Sequence, residues 1–230
     1  MIGILVQLLL SALLLWWIEK QSLSVLGWQP SIKRILQLSI GFLLAIMLAA
    51  TYHLINGILT GTSWQRNPSF RLSELFNGLG WMLRSVLYEE LIFRGALFYI
   101  ALKRLGTTKA LWLSVIAFGI YHWFSFGAFG QPFQMIFIFL ITAAAGWMYS
   151  YAFIKTGSLY ATIGLHFGWN CTGSLLFSQS SIGKYILIPV KDPTFQQNDL
   201  RSFLFMFLYQ FFIPALITWL WLRKMEKGKS

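Results

Sequence analysis

Long apolar runs separated by short polar segments dominate the 230-residue chain. A helix that crosses a bilayer needs about 20 predominantly apolar residues, and several of these runs have that length. The pattern therefore predicts a multi-pass membrane protein with no room for a soluble domain. We place seven spans at 2–18, 35–58, 79–102, 110–125, 133–153, 158–177 and 202–222.

Two segments leave the span count open. Residues 68–78 have apolar residues at helical spacing, which is typical of an amphipathic surface helix or of an extension of the third span. The polar loop 178–201 contains a short apolar run at 185–190, which would be re-entrant or would add an eighth span. The first run ends in Trp16 and Trp17 and has no cleavage site, so it is predicted to be a retained span.

Composition and charge support this assignment. Hydrophobic residues make up 57% of the chain and charged residues only 11%, whereas soluble domains carry about 25% charged residues. The net charge of +11 comes from short basic groups between apolar runs, so it argues against nucleic-acid binding. A cytoplasmic C-terminus places most basic residues inside, namely Lys20, Lys33, Arg34, Lys103, Arg104, Lys109, Lys155, Arg223, Lys224, Lys227 and Lys229.

Three charged residues, Glu89, Glu90 and Arg94, fall within six positions of the third apolar run, where each costs a few kcal/mol at the bilayer centre. Glu90 and Arg94 are four residues apart, so they share a helix face and can pair directly. Glu89 is turned by about 100° from Glu90, so it is left to meet a group from another helix. We expect Glu90 and Arg94 to support a site and Glu89 to act in it; the alternative is a cluster that only locks helix packing.

Two later spans carry polar groups at a similar depth. These groups are His122 in one span and His166 with Asn170 in another, all on the order of 12–20 Å from the same membrane surface. Polar side chains within spans face the bundle interior, so these three spans are predicted to converge on one buried polar cavity. His166 and Asn170 share a face and could hold an oxyanion, or could simply join two helices. His53 is interpreted as a packing residue.

A zinc site at Glu89, His122 and His166 is an alternative, because zinc binds such donors. The spacing H-E-x-x-H is absent, and an Asn amide nitrogen is no metal ligand. A metal-free site without a cofactor is therefore preferred, with zinc kept as the alternative. The single cysteine, Cys171, excludes an internal disulfide.

The three motifs resemble those of the CAAX prenyl protease and bacteriocin-processing family of intramembrane proteases. The family motifs E-E-x-x-x-R, F-x-x-x-H and H-x-x-x-N are matched by EELIFR at 89–94, FGIYH at 118–122 and HFGWN at 166–170. They occur in this order on three separate spans, and the resemblance covers about residues 75–175. It implies a multi-span helical bundle with a polar cavity open toward the membrane. Together with the apolar runs, this predicts an all-α polytopic transmembrane bundle of about seven spans, between six and eight, formed by residues 1–230 as a single domain.

The resemblance also implies roles for individual residues. Glu89 and His122 would activate a water that attacks a peptide carbonyl, His166 and Asn170 would stabilise the oxyanion, and Glu90 and Arg94 would support the site. The expected partners are the lipid bilayer and a peptide or membrane-protein substrate, with a multi-pass location in a prokaryotic cell membrane. A non-proteolytic immunity or scaffold protein of the same fold is the main alternative, and a proton-coupled transporter is a third.

Overall fold

A computed structural model gives the fold and describes residues 2–179, 183–192 and 199–225 of the chain. Within these residues the regular secondary structure consists mainly of α-helices, with a short 3-10 helix at Leu23–Leu26 and two short strands. Single turns of π-helix extend the first helix to Glu19 and the seventh to Leu176. The elements are α1 (Ile2–Leu14), α2 (Ile32–Leu59), β1 (Thr62–Arg66), α3 (Leu72–Phe93), α4 (Ala96–Leu105), α5 (Thr107–Ser125), α6 (Pro132–Thr156), α7 (Leu159–Cys171), β2 (Leu187–Lys191) and α8 (Asp199–Leu222).

The predicted all-α membrane bundle is confirmed. Four helical segments within the described residues are long and apolar enough to cross a bilayer, and they contain α1, α2, α6 and α8. Large apolar side chains lie exposed along their outer faces, for example Leu43 on α2 and Leu216 on α8. Such faces are stable only against lipid, so the chain is an integral membrane protein. The cytoplasmic C-terminus and the prokaryotic origin stay predictions.

The third predicted span, 79–102, is wrong in its outline. The structure divides it into α3 and α4, and the break lies at Arg94 and Gly95. A side chain at Gly95 would place its Cβ 2.0 Å from the carbonyl oxygen of Leu91, so only glycine fits this close approach. The break follows Glu89 and Glu90 directly, so both carboxylates project from the last turns of α3.

The two ambiguous segments are also decided. Helix α3 begins at Leu72, so most of the 68–78 segment extends the helix that carries the glutamates. The run at 185–190 does not cross the membrane, because β2 pairs antiparallel with β1 from Thr62 opposite Lys191 to Arg66 opposite Leu187. This small sheet was not predicted, since its strands lie far apart in the sequence.

Close packing of α2 against α7 fixes the position of the third motif. A Cβ at Gly164 would lie 2.3 Å from the carbonyl oxygen of Leu38, and one at Gly168 would lie 2.5 Å from that of Phe42. The glycines therefore let the two backbones touch, as small residues do between membrane helices. His166 lies between them in sequence and is held at the centre of the bundle.

Candidate active site

Glu89 meets two histidines from two other helices. Its Oε2 atom lies 4.0 Å from Nε2 of His122 on α5 and 3.8 Å from Nε2 of His166 on α7. All three side chains are largely buried, with 14%, 13% and 5% of their surface exposed. Oε2 is a buried atom and has no hydrogen-bond partner among the described residues. The predicted convergence of three helices on one polar site is confirmed for these residues.

A backbone contact determines the tautomer of His122. Its Nδ1 lies 2.7 Å from the carbonyl oxygen of Phe118, one turn earlier on α5. A carbonyl oxygen can only accept a hydrogen bond, so Nδ1 carries the proton and donates it. In the neutral ring, Nε2 is then an acceptor, and it faces Glu89. The spacing F-x-x-x-H thus orients a basic nitrogen toward the carboxylate.

Glu90 joins the first motif to the third. Its Oε1 atom accepts a hydrogen bond from Nδ1 of His166 at 2.7 Å, and it lies 3.4 Å from a terminal nitrogen of Arg94. Both Glu90 and Arg94 are completely buried. The predicted pair of Glu90 and Arg94 is confirmed, as is the separation of the two glutamates. The bond from His166 to Glu90 was not predicted, and it turns Nε2 of His166 toward Glu89.

Further groups hold Arg94, and they were not identified from the sequence. Its guanidinium donates to the carbonyl oxygen of Gly146 at 2.9 Å and to the hydroxyl of Ser150 at 3.3 Å, both on α6. Ser150 donates to Ser114 at 3.0 Å, and Ser114 donates to the carbonyl oxygen of Phe93 at 2.9 Å. This chain ties α6 and α5 to the end of α3. Two buried hydroxyls in apolar spans were the only sequence signal for it.

Aromatic rings enclose the charged groups. Phe118 lies 4.4 Å from the guanidinium carbon of Arg94, which is a cation–π contact. The ring of Tyr149 stacks on His166 at 4.5 Å with an interplanar angle of 16°. These rings cover Arg94 and His166, which are 0% and 4% exposed, so the electrostatic interactions of these two residues are strengthened.

Two residues considered from the sequence, Asn170 and His53, form no hydrogen bond with this cluster. Asn170 is partly buried one turn beyond His166, and no hydrogen bond joins its side chain to another described residue. The structure therefore does not join the amide to the other predicted groups by a hydrogen bond among the described residues. His53 stacks on Phe177 at 4.8 Å in a separate aromatic cluster, in agreement with its interpretation as a packing residue.

A cavity of about 380 Å³ reaches Glu89 from the space between α1, α3 and α5. Its wall combines aromatic, hydroxyl and basic side chains with the carboxylate, and two residues of α1 complete it. The side chains from α3 and α5 are Trp81, Arg84, Ser85, Tyr88, Glu89 and Tyr121. The cavity gives a ligand access to the carboxylate from one side of the bundle.

Zinc is the alternative to a metal-free site around Glu89. Glu89, His122 and His166 are donor types that catalytic zinc sites use, and Glu90 bonds His166 as an outer carboxylate would. However, no group of three or more His, Cys, Asp or Glu side chains in the described part of the chain is arranged to hold a metal ion. The donor types fit zinc, whereas their arrangement does not.

Comparison with known proteins supports a single family. Residues 71–172 match the family described as "Type II CAAX prenyl endopeptidase Rce1-like". The matched range contains all three motifs and agrees with the expected core at about 75–175, so the resemblance is confirmed over this region. Neither a curated protein nor a solved structure matches the chain. At family level, the match supports a CAAX-protease-type function within the membrane.

Proposed function

We propose that this chain, with its Rce1-like core, is an intramembrane endopeptidase that hydrolyses a peptide bond with a water activated by Glu89 and His122. One observation carries the proposal. The buried Oε2 atom of Glu89 has no hydrogen-bond partner among the described residues, although two imidazole nitrogens flank it at 3.8 and 4.0 Å. An unpaired buried carboxylate oxygen is costly, and a bound water or a catalytic role is among the explanations for such an atom.

The distance between Glu89 and His122 suits a bridging water. If the oxygen of a water lay about 2.8 Å from each of the two acceptor atoms, which are 4.0 Å apart, the angle between the acceptors at that oxygen would be about 90°. This angle is close to the angle between the two O–H bonds of water. The molecule would donate one proton to the carboxylate and one to Nε2 of His122. Its lone pairs would then point away from both groups, toward a peptide carbonyl.

The hydrolysis balances with these groups. The water oxygen bonds to the carbonyl carbon while Glu89 takes one proton as general base. The resulting tetrahedral intermediate carries negative charge on the former carbonyl oxygen. Collapse breaks the C–N bond, and Glu89 returns its proton to the leaving amine. The products are a carboxylic acid and an amine, which become a carboxylate and an ammonium ion once the acid passes its proton to the amine, and the enzyme is restored.

His166 is the donor best positioned to stabilise the oxyanion. Its Nδ1 donates to Glu90, so its Nε2 can donate a second hydrogen bond when the ring is protonated on both nitrogens. Glu90 and Arg94 fix the orientation of the ring. The oxyanion role of Asn170 rests on the family resemblance and on its shared helix face with His166. Asn170 would donate a hydrogen bond to the oxyanion only once a substrate is bound or its side chain has rotated.

The test is cleavage by the purified full-length protein in detergent. Two fluorogenic peptides serve as probes, one ending in a farnesylated CAAX sequence and one with the same sequence unmodified. We expect Glu89→Gln to abolish cleavage and His122→Ala to lower kcat by about 10²–10⁴-fold. Glu74→Gln is the matched control on the same helix and should retain full activity.

Two outcomes contradict the proposal. Full turnover by Glu89→Gln would remove the carboxylate from the mechanism. Binding of either peptide without cleavage by the wild-type protein would favour the alternative, an immunity or scaffold protein of the same fold. The melting temperature of Glu89→Gln should equal that of the wild type, because the substitution keeps the shape and breaks no existing hydrogen bond of Oε2.

A further inference from the structure

A second polar cavity lies at one end of the bundle, away from the candidate active site. It has a volume of about 450 Å³ and contains none of the motif residues. This volume lies within the range of small-molecule sites, about 300–1,000 Å³. The cavity is formed where α2 and α5 begin and where α4 and α6 end, so it lies at a membrane surface.

Two cations from different helices line this cavity. They are Arg34, in the first turn of α2, and Lys103, in the last turn of α4. No carboxylate lines the cavity, and neither cation forms an ion pair with a described residue. The nearby Glu19 is already bonded to Arg104 at 2.7 Å. The cavity therefore has a net positive charge that is not neutralised by the described part of the protein.

The cations are held in place by other contacts. Arg34 donates to the backbone carbonyl of Gln29 at 2.7 Å, which fixes one of its nitrogens and leaves the other donors available. Lys103 places its ammonium 5.8 Å from the ring centroid of Tyr99, which also lines the cavity. Arg34 and Lys103 therefore line one cavity together, although they come from different helices.

The rest of the wall has the character expected for an amphiphile. Thr107, at the start of α5, adds a hydroxyl that forms no hydrogen bond with another described residue. Leu102 and Phe153 add apolar surface beside the polar groups. Basic cavities between membrane helices near a bilayer surface are suited to phospholipid headgroups. A free phosphate ion has no apolar part that could pack against the apolar wall.

We propose that this cavity binds the phosphodiester headgroup of an anionic membrane phospholipid, with Arg34 and Lys103 as its cationic ligands. The headgroup would join α2 and α4 to the loop before α5. None of the residues that line the cavity belongs to the three motifs, so this site is proposed separately from peptide hydrolysis.

The test uses the full-length protein in a neutral detergent. The dissociation constant of the first bound lipid is measured by native mass spectrometry for phosphatidylglycerol and for phosphatidylcholine with the same acyl chains. The wild type should bind phosphatidylglycerol at least tenfold more tightly. Arg34→Gln and Lys103→Gln should each weaken that binding about fivefold, equivalent to about 1 kcal/mol per cation, and should leave phosphatidylcholine unchanged.

The control is the pair of variants Lys33→Gln and Lys109→Gln, which remove cations near the same membrane surface that do not line the cavity. They should change the affinity by less than twofold. If Arg34→Gln lowers the melting temperature, the result for Lys103→Gln decides the test. Lys103 donates no hydrogen bond to a described residue, so its substitution should not destabilise the fold.

Three results would overturn the proposal. Equal affinity for the two lipids would show no headgroup site. An equal loss in the control variants would show that surface charge alone attracts the lipid. Displacement of phosphatidylglycerol by an equal concentration of inorganic phosphate would identify a free anion as the ligand instead.

Discussion

Replacing Glu90 by alanine should destabilise the protein far more than an average substitution. Glu90 is completely buried, accepts from His166 at 2.7 Å and lies 3.4 Å from Arg94, which is also completely buried. Alanine would leave the guanidinium without its counter-ion in a low-dielectric interior. It would also leave Nδ1 of His166 without its acceptor.

The size of the effect follows from these contacts. Removing one partner of a buried ion pair costs about 3–5 kcal/mol, because the other charge stays buried and uncompensated. The matched control is Glu19→Ala, which breaks the ion pair with Arg104, where the arginine side chain is 60% exposed. Exposed pairs contribute about 0–1 kcal/mol. The two substitutions are chemically identical, so the difference between them measures the complete burial of the Glu90 ion pair together with its bond from His166.

The measurement is the free energy of unfolding in detergent, together with peptide cleavage. A double variant, Glu90→Ala with Arg94→Met, should recover part of the stability because it removes both charges. It should stay inactive, since His166 has lost the group that orients it. An unfolding free energy for Glu90→Ala within 1 kcal/mol of Glu19→Ala would refute the assigned role of the buried pair.

Three further predictions concern helix packing, the hydrogen bonds of Arg94 and the metal dependence of cleavage. Gly164→Ala should lower the unfolding free energy by about 1–3 kcal/mol, because its methyl group would overlap the Leu38 carbonyl, whereas Gly80→Ala, which has open space, should be neutral or stabilising. Ser150→Ala should cost about 1–3 kcal/mol, since it leaves a buried donor of Arg94 unpaired, and should lower kcat more than it raises KM; an unchanged kcat would contradict this. Chelators should leave cleavage unchanged, and a loss that zinc restores would contradict the metal-free mechanism.

Helix geometry predicted that the two glutamates would have different partners. Residues four apart share a helix face, so Glu90 was expected to pair with Arg94 and Glu89 to project from a different face. The depth of His122 and His166 in their spans also predicted that they would converge, because polar groups avoid lipid. These inferences use only helical periodicity and the cost of charge in hydrocarbon.

Other features depend on how the helices meet. The break after Arg94 reflects the contact between Gly95 and the Leu91 carbonyl, and an apolar run continues through it without any hydropathy signal. The pairing of β1 with β2 joins strands separated by more than 100 residues. The roles of Ser114 and Ser150 as a relay to Arg94 became visible only when α5, α6 and the end of α3 were in contact.

The sequence by itself determined that the chain is a membrane bundle and which ionisable residues must be buried in it, because burial in lipid depends on local composition and spacing. Only the tertiary structure decided which nitrogen of His166 faces Glu89, since Glu90 takes the other through a 2.7 Å bond between α3 and α7. Hydrogen bonds are short-ranged and directional, so their partners follow from the packing of whole helices and not from the order of residues along one of them.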